Sequence, residues 1–321
     1  MHYDVFNGDA DGIIALLQLR LAEPKESLLI TGVKRDISLL KQVPNKNVNS
    51  VTVLDISLEK NIDALNALLA NQVDIFYVDH HRSGDIPHSK HLTTLINTDA
   101  NTCTSLLVND YLNGKFVHWA IAAAFGDNME QAAKKLAKEQ GLSLFQETKL
   151  AELGIYINYN GYGRSVDDLH FKPTQLFKLL LSYPDPLTLI NEKDGIFSTL
   201  ASAYHQDMAK AQSASVITDT DVCKVVLLDD EPWARRVSGV FGNELANNSP
   251  SKAHAVLSLN ADDTYTVSIR APLNNKQGAD VICIQFPTGG GRAGAAGINN
   301  LPQEMLKTFI ETMTQYYQMI L

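Results

Sequence analysis

The chain has 321 residues, 45% hydrophobic and 20% charged, enough apolar material for a large core and a length that suits two domains better than one. A formal net charge of −9 argues against non-specific adhesion to long polyanions, because neutralising many phosphates takes clustered Lys and Arg. Three cysteines, Cys103, Cys223 and Cys283, lie far apart, without the spacing of a zinc site or the even number of a disulfide framework, and are expected as buried thiols.

The opening MHYDVFNGDADG carries no cationic segment ahead of an apolar one, and no apolar run reaches the roughly 18 residues of a membrane span, so a cytoplasmic protein with no membrane partner is expected. Through the first half, short β-branched runs alternate with helical spacing, the pattern of a parallel sheet covered on both faces. Strands are expected at residues 2–7, 27–31, 50–54, 74–78 and 93–97, with helices at 12–21, 37–42 and 58–69. From residue 102 helices dominate: AIAAAFGDN, then 130–139 and 142–153, followed by a loop NYNGYGRS over 158–165 whose tyrosines could stack a base or pack as ordinary loop residues.

YPDP at 183–186 breaks the pattern, and 191–215 reads as one long connecting helix. A second α/β unit follows: a strand KVVLLDD, a helix around 237–246, paired strands at 255–259 and 265–270 across the turn NADD, the segment 278–286, the glycine run GGGRAGAAG and a closing helix over 302–318. The expected fold is α/β, a doubly wound, mainly parallel sheet domain over 1–188 plus a smaller C-terminal α/β domain with a mixed sheet over 219–321. Residues 189–218 form the expected connector.

Asp9 and Asp11 stand two residues apart in NGDADG, directly after the first strand, where strand C-termini face the active crevice of a parallel sheet. Asp55 ends the third strand in VTVLD, and Asp79, His80 and His81 end the fourth in FYVDHH. Each alone has a plain explanation, since Asp after a strand commonly caps a helix or forms a turn. Repetition is the signal: three strands of one sheet run into Asp at the same end. Oxygen ligands with one or two imidazoles suit Mn2+ or Mg2+ better than zinc. Two such ions roughly 3.5 to 4 Å apart would acidify a water and clamp an in-line phosphoryl displacement.

These residues resemble the DHH phosphoesterases, which include RecJ-like exonucleases, nanoRNases, cyclic-dinucleotide phosphodiesterases, exopolyphosphatases and family II pyrophosphatases. Asp79-His80-His81 matches the motif that names the family, Asp9 and Asp11 match its first motif, Asp55 its second and Asp127 in AIAAAFGDN its fourth. The resemblance implies two Mn2+ ions, with Mg2+ as the other candidate. Asp9 and Asp11 would divide between them, Asp55 would bridge, and His80 and Asp127 would complete the second site. Asp79, His80 and His81 would form the catalytic group, with His81 facing the scissile phosphate. NTCTSLLV would put Thr102 and Thr104 near the substrate or serve as a plain helix cap.

GGGRAGAAG is similar to the glycine motif of the DHH-associated domain. Gly289, Gly290 and Gly291 would let backbone amides approach a phosphate, while Arg270 in VSIRAP would grip the substrate. Two positions depart from the family. Val5 stands where several branches have a metal-binding histidine four residues before Asp9, so that the first metal site would be weaker or would recruit Asn7, and Arg292 replaces the histidine of the glycine motif. A fixed guanidinium there favours a terminal phosphate or carboxylate.

The implied activity is metal-dependent hydrolysis of phosphodiester bonds in short oligonucleotides or linear dinucleotides. The alternatives are a phosphoanhydride hydrolase acting on polyphosphate and a catalytically silent nucleotide-binding module. A homodimer is open as well, since several members with this two-domain plan form one.

Overall fold

A computed structural model describes residues 1–99 and 101–320. The chain forms two compact units, 1–203 and 204–321. The first is built on a five-stranded, wholly parallel sheet of β1 (His2–Phe6), β2 (Leu28–Ile30), β3 (Ser50–Leu54), β4 (Asp74–Asp79) and β5 (Leu92–Ile96), in the order β2-β1-β3-β4-β5. That order is the doubly wound one, with the order of strand addition reversing between β1 and β3 and a crevice opening at the strands' carboxyl ends. Register levels those ends: Phe6 lies beside Leu54, and Leu54 beside Val78. The residues that follow each strand therefore leave the sheet along one rim.

Helix α1 (Ala10–Ala22) reads ADGIIALLQLRLA, and every residue from Ala10 to Arg20 is buried. A helix apolar on nearly all sides belongs inside a domain. Its one cation, Arg20, forms a two-pronged pair with Asp4 on β1, Nε to Oδ2 at 2.9 Å and Nη2 to Oδ1 at 2.5 Å, with Ser27 donating to Oδ2 at 2.6 Å. Burial alone would raise the Asp4 carboxyl. His2, Arg20 and Ser27 outweigh it and hold the pKa at about 2.

Helices α2 (Ile62–Ala70), α3 (Thr104–Tyr111), α4 (Val117–Gly126), α5 (Glu130–Glu139), α6 (Leu144–Asn160), α7 (Pro173–Leu180), α8 (Pro186–Ile190) and α9 (Ile196–Ala211) follow in chain order, and the boundary between the units falls within α9. Three expectations change. Residues 37–42 make only a short 3-10 turn, Leu40–Gln42, because Val43 precedes Pro44 and is driven to extended backbone. Residues 191–195 are not helical, since Asp194 takes a left-handed φ of 57° in KDG. Residues 158–160 belong to α6 and not to a loop. Their polar side chains find tertiary partners: Asn160 donates to the Phe171 carbonyl at 2.8 Å and accepts the Phe171 N–H at 3.0 Å. Tyr159 is fully buried, its hydroxyl 2.8 Å from His170 Nε2, so it offers no stacking face.

The second unit carries β6 (Ser215–Asp219), β7 (Cys223–Leu228), α10 (Pro232–Asn248), β8 (Ala253–Leu259), β9 (Thr264–Arg270), α11 (Ala279–Cys283), β10 (Gly289–Arg292), β11 (Ala295–Pro302) and α12 (Leu306–Ile320). Its six strands make a mixed sheet, β10-β11-β9-β8-β7-β6, in which β7 and β8 alone are parallel. Phe309, Met313 and Tyr317 recur every four residues along α12, and all are fully buried in one core cluster with Val225, Leu257 and Ile269. The three cysteines are buried free thiols. Among the described residues no helix is long and apolar enough to cross a membrane.

Candidate metal centre

At the level carboxyl rim of the first sheet the chain turns out of β1 through NGDADG, and Asp9 becomes the N-cap of α1, accepting the Gly12 N–H at 3.0 Å. Both readings of this aspartate hold at once, cap and cluster member. Asp11, in the first turn of α1, accepts the Thr104 N–H and the Ser105 N–H, each at 2.7 Å. Those donors open α3, whose own N-cap, Cys103, contributes no side-chain bond. Asp11 therefore does the capping from another helix.

Asp55 follows β3 with a left-handed φ of 58°. For a non-glycine residue this conformation is strained, and it is sustained because the site around it fixes the backbone. Asp55 Oδ1 accepts the Thr104 hydroxyl at 3.1 Å. Asp127 stands at the C-cap of α4, the negative end of the helix, where a carboxylate is unfavourable without a nearby cation.

His80 lies among these acids. Its Nδ1 is 3.0 Å from the Thr102 carbonyl, which can only accept, so Nδ1 carries a proton and the neutral ring has its lone pair at Nε2. Nε2 lies 3.4 Å from Asp55 Oδ1, 3.8 Å from Asp127 Oδ2 and 3.9 Å from Asp11 Oδ2. Ligand atoms of one octahedral ion, each about 2.1 Å from it, are separated by about 3 to 4.3 Å. Two groups that share His80, Asp11 with His80 and Asp127 and Asp55 with His80 and His81, therefore fit hard or borderline divalent cations such as Mn2+ or Mg2+.

Electrostatics state the same demand. Burial, then the neighbouring Asp11 and Asp9, push the Asp55 carboxyl well above the usual carboxylate range. Crowded buried carboxylates need a cation or a proton. His81 is the member that solvent reaches, its side chain 36% exposed, with Nδ1 2.7 Å from buried Asp79 Oδ1. Burial works against its imidazolium, but the Asp79 bond and the charge of Asp55 outweigh it and raise its pKa.

Lys34, in the turn after β2, joins this cluster although it is neither an acid nor an imidazole. Its Nζ lies 2.5 Å from Asp9 Oδ2, 3.0 Å from Asn158 Oδ1 and 3.5 Å from Asp127 Oδ1. Burial would lower this ammonium, yet Asp9, with Tyr162 and Asp127, holds its pKa well above the usual lysine value. Asp9 is lowered in turn: burial is overcome by Lys34. The one available clue was position, a basic pair in TGVKRD just past a strand of the same sheet.

Asn7, considered as a substitute ligand, spends its amide elsewhere, donating to the Lys34 carbonyl at 3.1 Å and accepting the Asp9 N–H at 3.2 Å. Val5 is fully buried in the sheet core. Thr104 is also fully buried and braces Asp11 and Asp55. Thr102 acts through its carbonyl on His80.

In the second unit the glycine run is not an open loop. Gly289–Arg292 form the edge strand β10, paired with β11. A Cβ on Gly289 would sit 1.8 Å from the Cys283 carbonyl oxygen, and Gly291 has a φ of 146°, so close packing already requires both glycines. Gly290 and Arg292 are exposed on that strand. Arg270 directs Nε to Asn243 Oδ1 at 2.5 Å, Nη1 to Ser268 Oγ at 3.1 Å and Nη2 to the Gly239 carbonyl at 3.1 Å, bracing β9 against α10.

No family model matches the sequence, and no curated protein matches it. Solved structures match in fold. A crystal structure of exonuclease RecJ bound to manganese superposes with a TM-score of 0.63 at 15% identity, over 99% of this chain and 90% of that one. RecJ in complex with Mn2+ from Thermus thermophilus gives 0.66 at 15% identity over 99% of this chain, which spans 52% of that one. PggH, a pGpG-specific phosphodiesterase from Vibrio, gives 0.52 at 12% identity over 98% of each chain. The fold expected from the DHH resemblance is the fold observed.

Proposed function

We propose that the chain is a divalent-metal-dependent phosphoesterase, using Mn2+ or Mg2+ to hydrolyse phosphodiester bonds in short oligonucleotides or linear dinucleotides. The observation that carries this reading is the placement of His80 Nε2 within 3.4 to 3.9 Å of three carboxylates. Its likeness in fold to RecJ and PggH supports the same chemistry.

When bound, the ion supplies Lewis-acid polarisation of a phosphoryl oxygen and acidifies water. Asp11, His80 and Asp127 would hold it, with Asp55 beside His80 in the adjoining group. Thr104 keeps Asp55 turned inward, and the Thr102 carbonyl keeps His80 in the ligating tautomer. Asp79 orients His81, the solvent-reached imidazole, to donate a hydrogen bond to the phosphate as charge develops. In the second unit, exposed Arg292 and the Gly290 backbone present a cation and an amide of the kind that binds a phosphate. Arg270 contributes through the strand it braces.

A second reading, a phosphoanhydride hydrolase acting on polyphosphate, is favoured by the burial of Tyr159, one of the two tyrosines in 158–165 that could have stacked a base. One experiment tests both. The purified chain, loaded with Mn2+, is given RNA dinucleotide, RNA pentanucleotide and inorganic polyphosphate. Mononucleotide release exceeding phosphate release supports the phosphodiesterase; the reverse supports the second reading. Asp55→Asn should reduce turnover at least ~100-fold, since outer residues that merely orient ligands already account for 10- to 100-fold. Failure of the metal-loaded protein to cleave any of the three substrates would sink the proposal.

A further inference from the structure

Three tyrosines recur at every third position through the end of α6 and the turn after it, and their surroundings differ. Tyr156 is 4% exposed, its ring 5.5 Å from that of Phe197. Tyr159 is fully buried, its ring 5.8 Å from that of His170 and its hydroxyl bonded to the same histidine. Tyr162 is only half-buried. Among the described residues its hydroxyl has no hydrogen-bond partner and is left to solvent, and its ring pairs with no aromatic neighbour. What lies over the ring is the ammonium of Lys34, Nζ 5.6 Å from the centroid.

That ammonium ties the ring to the metal centre. Lys34 Nζ contacts Asp9 Oδ2 and Asp127 Oδ1, and the other oxygen of Asp127 lies 3.8 Å from His80 Nε2, so one cation and one carboxylate separate Tyr162 from the imidazole. The backbone is fixed as closely. Lys34 N–H donates to the Gly161 carbonyl at 2.8 Å, and Tyr162 N–H to the Tyr159 carbonyl at 3.2 Å. A Cβ on Gly161 would stand 3.0 Å from Asp9 Cα, so glycine there lets the chain carrying Tyr162 close on the start of NGDADG. A Cβ on Gly8 would stand 1.8 Å from the Gly32 carbonyl oxygen, and its absence admits the turn that holds Lys34. Packing alone accounts for Tyr156 and Tyr159. It does not call for an aromatic at 162, where part of the ring stays accessible beside the centre.

Resting on the phosphoesterase reading, we propose that Tyr162 is the specificity-determining residue of this site: a base next to the scissile phosphate stacks on its ring while that phosphate reaches the metal centre. The substrate class is then a base-bearing phosphodiester and not polyphosphate. Every base has a π-face, so the ring selects nucleotides over phosphate chains without selecting among sequences. Lys34 against the ring holds it at the rim.

The full chain, loaded with Mn2+, is given an RNA dinucleotide, its counterpart with abasic sugars, and inorganic polyphosphate. Wild type should prefer the dinucleotide to the abasic compound by about 10- to 100-fold in kcat/KM, the range of one base–aromatic stack. Tyr162→Leu should erase that preference, mainly by raising KM, with the abasic rate and the Mn2+ affinity from titration calorimetry unchanged. Tyr162→Phe keeps the ring and should match wild type. Binding is read apart from turnover by mixing Mg2+-loaded protein, at saturation, with a dinucleotide carrying 2-aminopurine; stacking should quench its fluorescence on wild type and Tyr162→Phe and not on Tyr162→Leu. Turnover of polyphosphate alone, cleavage with no preference for the base-bearing dinucleotide, or equal losses on all three substrates in Tyr162→Leu would overturn the inference while a metal-dependent hydrolase stands. No cleavage by wild type with the quench intact would sink the phosphoesterase reading and leave the stacking; no cleavage and no quench would sink both. Should Tyr162→Leu fail to fold by circular dichroism, the wild type decides: an unquenched probe or an absent base preference overturns the inference.

Discussion

Thr104 shows how much of a metal centre is done by residues that never touch the ion. Its N–H holds Asp11 and its hydroxyl holds Asp55, so one fully buried residue sets the angle between an acid of α1 and the acid that follows β3. Thr104→Val keeps shape and backbone but removes the hydroxyl, leaving Asp55 Oδ1 short of a donor. Manganese affinity should fall 10- to 100-fold, with Thr104→Ser restoring most of it; unchanged affinity measured by titration calorimetry would contradict the bracing role. Asp55 itself is held in left-handed backbone, and its carboxyl is raised by burial and by Asp11 and Asp9. The metal-free protein therefore stores repulsion there, and Asp55→Asn should unfold no more easily than metal-free wild type although it has lost its ligand.

At the scale of elements, the centre is also a joint between helices. α3 begins without a side-chain cap of its own and relies on Asp11 of α1. Asp11→Ala should fray the first turn of α3, a loss of about 1 to 2 kcal/mol if it resembles removal of an ordinary cap. Hydrogen exchange would show it as lost protection at Thr104 and Ser105, while the strand amides of β1 and β3 stay protected. Uniform loss across the unit would mean that the aspartate serves the fold generally. The same scale explains why residues 158–160 extend α6. Asparagines are poor helix formers, but Asn158 faces Lys34 and Asn160 ties to Phe171, and these bonds override the intrinsic preference.

Over the whole molecule, acid should act on the two units in turn. His254 of β8 is 1% exposed, and burial, aided by Lys224 and Lys252, holds its pKa at about 4 against a usual 6.5. The unfolded chain takes up that proton first, so the associated stability is complete above pH 6.5 and is lost as pH falls towards 4, about 3 kcal/mol in all. Asp4 of β1 runs from a usual 3.8 to about 2, so its contribution of about 2 kcal/mol is present above 3.8 and is lost only as pH falls towards 2. The second unit should weaken before the first. Trp119 lies in α4 and Trp233 in α10, so Trp233→Phe and Trp119→Phe leave one fluorescent reporter in each unit. Coincident acid transitions, or the Trp119 transition first, would refute the order.

Sequence by itself determined the parts that depend on local pattern. Alternation of β-branched runs and helices gave the parallel sheet, and Asp after successive strands marked the rim where Asp11, Asp55 and His80 meet, because parallel register levels every strand end. Tertiary structure alone decided what depends on which loops approach. Nothing local to TGVKRD announces that Gly8 lets its turn descend until Lys34 reaches Asp9, nor that GGGR pairs as an edge strand whose glycines are required by packing. Periodicity encodes which face of an element is buried; it does not encode which partner from tens of residues away fills the space beside it, and in this centre that partner is a cation.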